Sequence, residues 1–149
     1  MSTSPESSRS GQERWSFSRS HHLKRKRLIE PLFNRNDPTV RSVAAGPIRI
    51  IYRLVHDREV AEIATYQLGI AVGRSAGNAV RRNRIKRIIW EAVRLNQQLL
   101  KGQALLPGNV FTAMVLFRGN PNDLSELSSS LVRCLEIIQR AVNERAQTT

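Results

Sequence analysis

Ile85, Ile88, Ile89, Ala92 and Val93 recur at helical spacing, while Asn83, Arg87, Trp90 and Arg94 fall on the opposite side of the same turns. At about 100° per residue this predicts one long helix over 78–100 with a single apolar arc. Such a helix has to lay that arc on another layer of structure. The flanking segments supply it. Before the helix, Tyr66, Leu68, Ile70 and Val72 alternate with Gln67, Gly69 and Ala71, the period of a strand. After it, residues 109–118 read as a buried strand between Pro107-Gly108 and Gly119-Asn120-Pro121. The small side chains of 66–72 leave one face of that strand shallow. Gly69 there admits close approach by another backbone or plain helix-on-sheet packing.

The remaining elements follow from the same periods. Leu28, Leu32 and Phe33, with Ile29, form an apolar stripe that predicts a first helix over His22–Arg35, opened by Lys24, Arg25, Lys26 and Arg27. Cations oppose the macrodipole at a helix N-terminus, which favours a binding role for some of them. A turn over 34–38 leads to a weak strand near 39–45. A second strand follows, in which Ile48, Ile50, Tyr52 and Leu54 share one face opposite Arg49, Ile51 and Arg53. Gly73–Gly77 reads as a flexible, partly basic turn, and Asn78 as the N-cap of the long helix. The last helix starts at Asp123, with Glu126 three residues on; Leu127, Leu131, Cys134, Leu135, Ile138 and Val142 make its apolar stripe. The expected fold is α+β: a two-layer sandwich in α-β-β-β-α-β-α order with a four-stranded, mainly antiparallel sheet. Residues 1–20 form a disordered Ser/Arg-rich tail in this reading, 21–146 the domain and 147–149 a C-terminal tail.

Between Arg81 and Arg87 five of seven residues are cationic, Arg81, Arg82, Arg84, Lys86 and Arg87, with no carboxylate among them. A solvated helix face usually mixes signs, because like charges repel and Glu–Lys pairs stabilise. The whole chain has 24 Lys+Arg against 12 Asp+Glu, net +12, which raises the local concentration of phosphate polymers. Arg supplies a planar fork for phosphate, and Asn both a donor and an acceptor. The Gly73–Gly77 turn, with Arg74, and the helix N-terminus add backbone N–H groups. For Trp90 two readings stay open: stacking on an unpaired base, or packing against helix 22–35 or the tail. The patch indicates nucleic acid without deciding between RNA and DNA.

Other classes find no support. No apolar run approaches the roughly 20 residues that span a bilayer, so no membrane partner is expected. Residues 1–20 lack the apolar stretch of a signal peptide, and Glu6 and Glu13 argue against an import sequence. Cys134 stands alone, without a disulfide or thiolate cluster, consistent with a reducing cytoplasm. His21, His22 and His56 show no ligand spacing, and Asp57 and Glu59 read as turn residues. No catalytic residue and no metal site is expected in this polypeptide.

Gly77-Asn78-Ala79-Val80 followed by Arg82-Asn83-Arg84-Ile85-Lys86-Arg87, with Leu68-Gly69-Ile70-Ala71-Val72 upstream and a basic first helix ending in Leu32-Phe33, resembles the protein subunit of bacterial ribonuclease P. The resemblance covers about residues 21–142 and extends to the element order. It implies a ribosomal-protein-like sandwich whose parallel crossover is left-handed, against the usual right-handed rule. It implies two RNA partners, the ribonuclease P RNA and precursor tRNA, with one protein per RNA. The RNA subunit, with Mg2+, would hydrolyse the 5′ leader from the precursor, and the protein would bind no cofactor itself. Arg82, Asn83, Arg84, Lys86 and Arg87 would lie against the catalytic RNA, with Arg74, Asn78, Arg81, Trp90 and Arg94 completing that surface. The leader would run in a cleft between the first helix and the sheet, where Phe33 and Tyr52 match aromatic positions and Lys26 and Arg27 add charge. Three positions depart from the family pattern: Gly73-Arg74-Ser75 replaces Ser-Lys-Lys, Trp90 replaces an Arg, and Ile29 an aromatic. The alternative is a non-catalytic RNA-binding structural or ribosome-associated protein of the same fold.

Overall fold

The computed structural model describes residues 21–59, 66–101, 108–118 and 124–148. A short helix α1 (Lys26–Ile29) runs into a 3-10 turn (Glu30–Phe33). Strands β1 (Arg41–Ala45), β2 (Ile48–His56) and β3 (Tyr66–Val72) follow, then helices α2 (Ala79–Leu95) and α3 (Gln97–Lys101), strand β4 (Asn109–Phe117) and helix α4 (Leu127–Thr148). The sheet order is β1-β2-β4-β3. β2 pairs antiparallel with both β1 and β4, and β3 runs parallel to β4. The α+β class and mainly antiparallel sheet are as expected.

One face of the sheet carries α2 and α4. Ile48, Ile50 and Tyr52 of β2, Tyr66, Leu68 and Val72 of β3, and Phe111, Ala113, Val115 and Phe117 of β4 point into that layer. Ile85, Ile89, Ala92 and Val93 of α2 meet them, so the predicted arc is the buried one, with Ile88 half-buried at its rim. From α4 come Leu127, Leu131, Cys134, Leu135, Ile138 and Val142, the whole predicted stripe. Burying six side chains of that size supplies much of the force that holds the layers together, each worth about 1.5–3 kcal/mol when fully buried for the larger aliphatics. The opposite face is thinner. There Leu23, Leu28 and Leu32 cover Ile51, Val55, Val110 and Met114. A Cβ on Gly69 would lie 2.5 Å from Met114 Sδ and 3.5 Å from the Leu23 carbonyl oxygen, so the shallow side of β3 is filled by a neighbouring side chain and an approaching backbone together.

The first expected helix is the main departure. Pro31 sits at the start of the 3-10 turn. It has no N–H to donate, and its ring clashes with the carbonyl an upstream helical turn would present. Residues before Arg25 do not join the helix. His22 instead pairs in parallel with Leu68, and the Leu23 N–H donates to the Leu68 carbonyl at 3.1 Å, covering the outer edge of β3. The long helix also ends earlier than expected. Asn96 closes α2: its backbone N–H donates to the Val93 carbonyl and its side-chain amide to the Ala92 carbonyl at 2.7 Å. Residues 1–20 and the Asp123 cap lie outside the described residues. α4 continues to Thr148, into the segment expected as a C-terminal tail.

β1 and β2 are joined by Gly46-Pro47, with Ala45 paired to Ile48 across it. Gly46 has φ +52°, and a Cβ there would lie 2.4 Å from Ser130 Oγ on α4. A positive φ at the first turn residue suits the right-handed twist of a two-residue hairpin, and glycine accepts it without strain. Gly46→Ala is therefore expected to lower the free energy of unfolding by about 1–3 kcal/mol, combining backbone strain with the clash on Ser130. Urea unfolding of the two proteins measures it.

Two buried acids set the response to alkali. Burial pushes the Cys134 thiol up to about 11 from 9.0, and the Tyr66 phenol up to about 12 from 10.0. Both keep their protons in the folded chain where the unfolded chain has lost them. The native state then binds more protons, and stability falls as pH rises. The fall begins as pH passes 9.0 for Cys134 and 10.0 for Tyr66, and levels off above their folded values. Urea midpoints measured between about pH 8 and 11 should drop, and Cys134→Ala should flatten the first part of the decline.

Candidate nucleic-acid interface

The Asn78 side chain accepts from the Arg81 backbone N–H at 2.9 Å and starts α2. Gly77, at φ +128°, precedes it and lies under the aliphatic stem of Arg81. The expected flexible turn is a 3-10 turn (Arg74–Ala76) anchored by the buried Ala76, which leaves Arg74 exposed. Asn83, Arg84 and Arg87 are exposed on the outer face of α2. Arg81, Arg82 and Lys86 are half-buried along the flanks of the apolar arc. The Nε atoms of Arg81 and Arg82 are buried without a hydrogen-bond partner among the described residues, so both guanidiniums retain donor capacity.

Two members of the predicted row are already engaged. Arg94 donates through Nε to Glu91 Oε2 at 3.1 Å and through Nη2 to Glu91 Oε1. The pair holds the Glu91 carboxyl below the usual carboxylate range and raises the Arg94 guanidinium. Trp90 is half-buried and packs on the His22 ring, centroids 4.8 Å apart. Beside it, His21 stacks on Tyr66 at 4.1 Å, with its Nδ1 3.1 Å from the Tyr66 carbonyl oxygen. The Tyr66 hydroxyl donates to Gln97 Oε1 at 3.1 Å. Trp90 thus packs at the seam between residues 21–22 and α2.

The second cationic surface lies on the other side of the sheet. A cleft of 580 Å3 opens between the end of the 3-10 turn and the β1–β2–β4 surface. Phe33, 53% exposed, lines it beside Arg35, Arg41, Arg49 and Arg118. None of these four arginines makes an ion pair among the described residues; Arg49 reaches only Ser42 Oγ, at 3.5 Å. Of the residues that the resemblance assigns to a leader cleft, Phe33 lines this one. Lys26 is exposed and pairs with Glu30 at 3.5 Å, and Arg27 donates to the Glu59 carbonyl at 2.8 Å, tying α1 to the 3-10 turn (Asp57–Glu59) that follows β2. Tyr52 lies on the opposite face of the sheet, 6% exposed, its ring tilted against Phe111 with centroids 5.5 Å apart. It borders a separate cavity between β1 and α4 with Ile137 and Glu144. Strand alternation carried this placement, since Tyr52 falls in the same row as Ile48 and Ile50. The four arginines were not singled out from sequence; the one available signal was Arg49 alternating against the apolar row of β2.

Both surfaces open toward one end of the sheet. Parallel pairing sets Val72 beside Phe117, so the 73–78 turn leaving β3 and Arg118 leaving β4 lie at the same end. The Arg118 N–H donates to the Pro47 carbonyl at 2.7 Å, which holds that arginine over the hairpin turn. Among the described residues no three His, Cys, Asp or Glu side chains come together as a metal-binding group. No helix among them is long and apolar enough to cross a membrane.

These features define an α+β sandwich with positive charge laid out on one helix and in one cleft. The ribonuclease P family model matches residues 17–139, and the chain belongs to that family. The ribonuclease P protein component of Brevibacillus brevis is 37% identical over 75 residues, covering 50% of this chain and 52% of that protein. That of Desulforapulum autotrophicum is 50% identical over 42 residues, 28% of this chain and 36% of its own. The aligned stretch thus spans about half, or less, of these relatives. In fold the chain is similar to the Staphylococcus aureus RNase P protein, with a TM-score of 0.56 at 23% identity over 78% of this chain and 94% of that one.

Proposed function

We propose that this protein is the protein subunit of ribonuclease P and promotes 5′-end maturation of precursor tRNA. In this reading the exposed face of α2 grips the catalytic RNA, through Arg84, Arg87 and Asn83 with Arg74, Arg81, Arg82 and Lys86 on its flanks. The cleft lined by Phe33, Arg35, Arg41, Arg49 and Arg118 receives the single-stranded leader. A cationic groove with an exposed aromatic side chain is the usual platform for an unpaired strand, in which bases stack and arginines track phosphates. Hydrolysis and its Mg2+ belong to the RNA, and the protein acts by binding and by placing the substrate. The observation that carries the reading is the unneutralised Arg81–Arg87 face on an N-capped helix within a chain of this family.

The test is reconstitution. The protein is mixed with a ribonuclease P RNA and precursor tRNA at low Mg2+, and 5′ cleavage is followed. Restored cleavage is the expected result. Co-sedimentation with ribosomal subunits and no stimulation of cleavage would select a ribosome-associated protein instead.

A further inference from the structure

Asp37 lines the cleft beside the four arginines and forms no ion pair with any of them among the described residues. Its Oδ1 is fully engaged, accepting from the Thr39 N–H at 2.9 Å and from the Thr39 hydroxyl at 2.6 Å. Those two bonds, with Arg53 nearby, hold the carboxyl below its ordinary value, so it is ionised at neutral pH. The Oδ2 atom has no hydrogen bond among the described residues. The turn at 37–39 accounts for one oxygen only.

A carboxylate in this position works against a polyanion, since it repels phosphate and offsets part of the cationic wall. A ligand that also brings a hydrogen-bond donor offsets that repulsion. An unpaired nucleotide does so through its base. Cytosine presents an N4 amino group, a matched donor for an Asp oxygen, whereas uracil presents the O4 acceptor at the same place. With a base stacked on Phe33 and its phosphates held by arginines, the two pyrimidines would differ chiefly in that one group.

We propose that Asp37 is a base-reading residue of the cleft, accepting a hydrogen bond from the exocyclic amino group of an unpaired leader base and so favouring cytosine over uracil. This rests on the cleft being the leader site. The preference it implies is about tenfold, the scale of one hydrogen bond to a charged acceptor at a partly exposed site.

The experiment uses holoenzyme reconstituted with ribonuclease P RNA, and two precursor tRNAs whose leaders are all cytidine or all uridine. Wild type should bind the cytidine leader about tenfold more tightly. Asp37→Asn keeps an amide oxygen for Thr39 and turns an NH2 donor toward the cleft, so the preference should collapse or invert toward uridine, with a small drop in melting temperature and the fold retained by circular dichroism. A cytidine-to-uridine ratio unmoved by Asp37→Asn overturns the proposal, as does equal tightening of both leaders, which is simple relief of repulsion. Arg49→Ala with Arg118→Ala separates the two levels of the argument. If that double variant weakens both leaders while Asp37→Asn leaves the ratio untouched, base reading alone fails. If it leaves leader binding at the wild-type level, the cleft is not the leader site and both readings fall.

Discussion

Replacing Arg84 and Arg87 together by alanine is expected to weaken binding to the catalytic RNA by about 100-fold, as two charge-assisted contacts of about 1.4 kcal/mol each are lost. It should also flatten the dependence of log affinity on log salt by roughly 1.4–1.8 units, because each lost cation no longer displaces a condensed counterion. Stability should barely change. Both side chains are exposed, and neither makes a hydrogen bond or ion pair among the described residues. The informative control is Arg133→Ala with Arg140→Ala, which removes the same charge from the exposed side of α4. If attraction were only the net field of a +12 chain, both double variants would behave alike. Equal weakening would therefore count against a local grip on α2. Filter binding across a salt series, with circular dichroism to confirm the fold, reads both quantities.

Ile89→Ala on the same helix is expected to do the opposite. Ile89 is fully buried where α2 meets the sheet and α4. Truncation removes three methyl or methylene carbons' worth of packing and leaves a cavity whose walls relax only in part, costing about 2–5 kcal/mol. For a domain of this size that is a large share of the net stability of about 5–15 kcal/mol. The urea midpoint should fall sharply. RNA affinity per folded molecule, and its salt slope, should stay near wild type. The two variants together separate the roles of one helix: its inner face holds the fold and its outer face supplies charge. A change in salt slope for Ile89→Ala with the fold intact would contradict that division.

The helical division was legible because backbone geometry enforces it locally. Once residues 78–95 are helical, the positions of Ile85, Ile89, Ala92 and Val93 on one side and of Asn83, Arg84 and Arg87 on the other follow from the turn angle. The same holds for the stripe of α4 and for the alternation of β2, which put Tyr52 with Ile48 and Ile50 and thereby on the helix-covered face. The expected first helix shortens because its apolar stripe runs through Pro31, and periodicity does not register a missing N–H. The Arg94–Glu91 pair is visible in principle, three residues apart on one helix, while helical spacing puts Arg94 in one row with Asn83, Arg87 and Trp90. His22 against Trp90 had no local signal at all.

By itself the sequence determined the strands, the order of the main elements, the buried arcs and the charge of α2, all properties set within a few turns of chain. Only the tertiary structure decided which distant residues form the cleft. Arg35 follows the 3-10 turn, Arg41 and Arg49 come from β1 and β2, and Arg118 comes from the end of β4. Nothing local relates Arg49 to Arg118; the antiparallel register that sets Arg49 opposite Leu116 brings them to one wall. Register is fixed by burying one face of every strand at once, a cooperative condition of the whole sheet. That is also why Asp37, an ordinary turn residue in the sequence, lies in the folded protein on the wall of a cationic cleft.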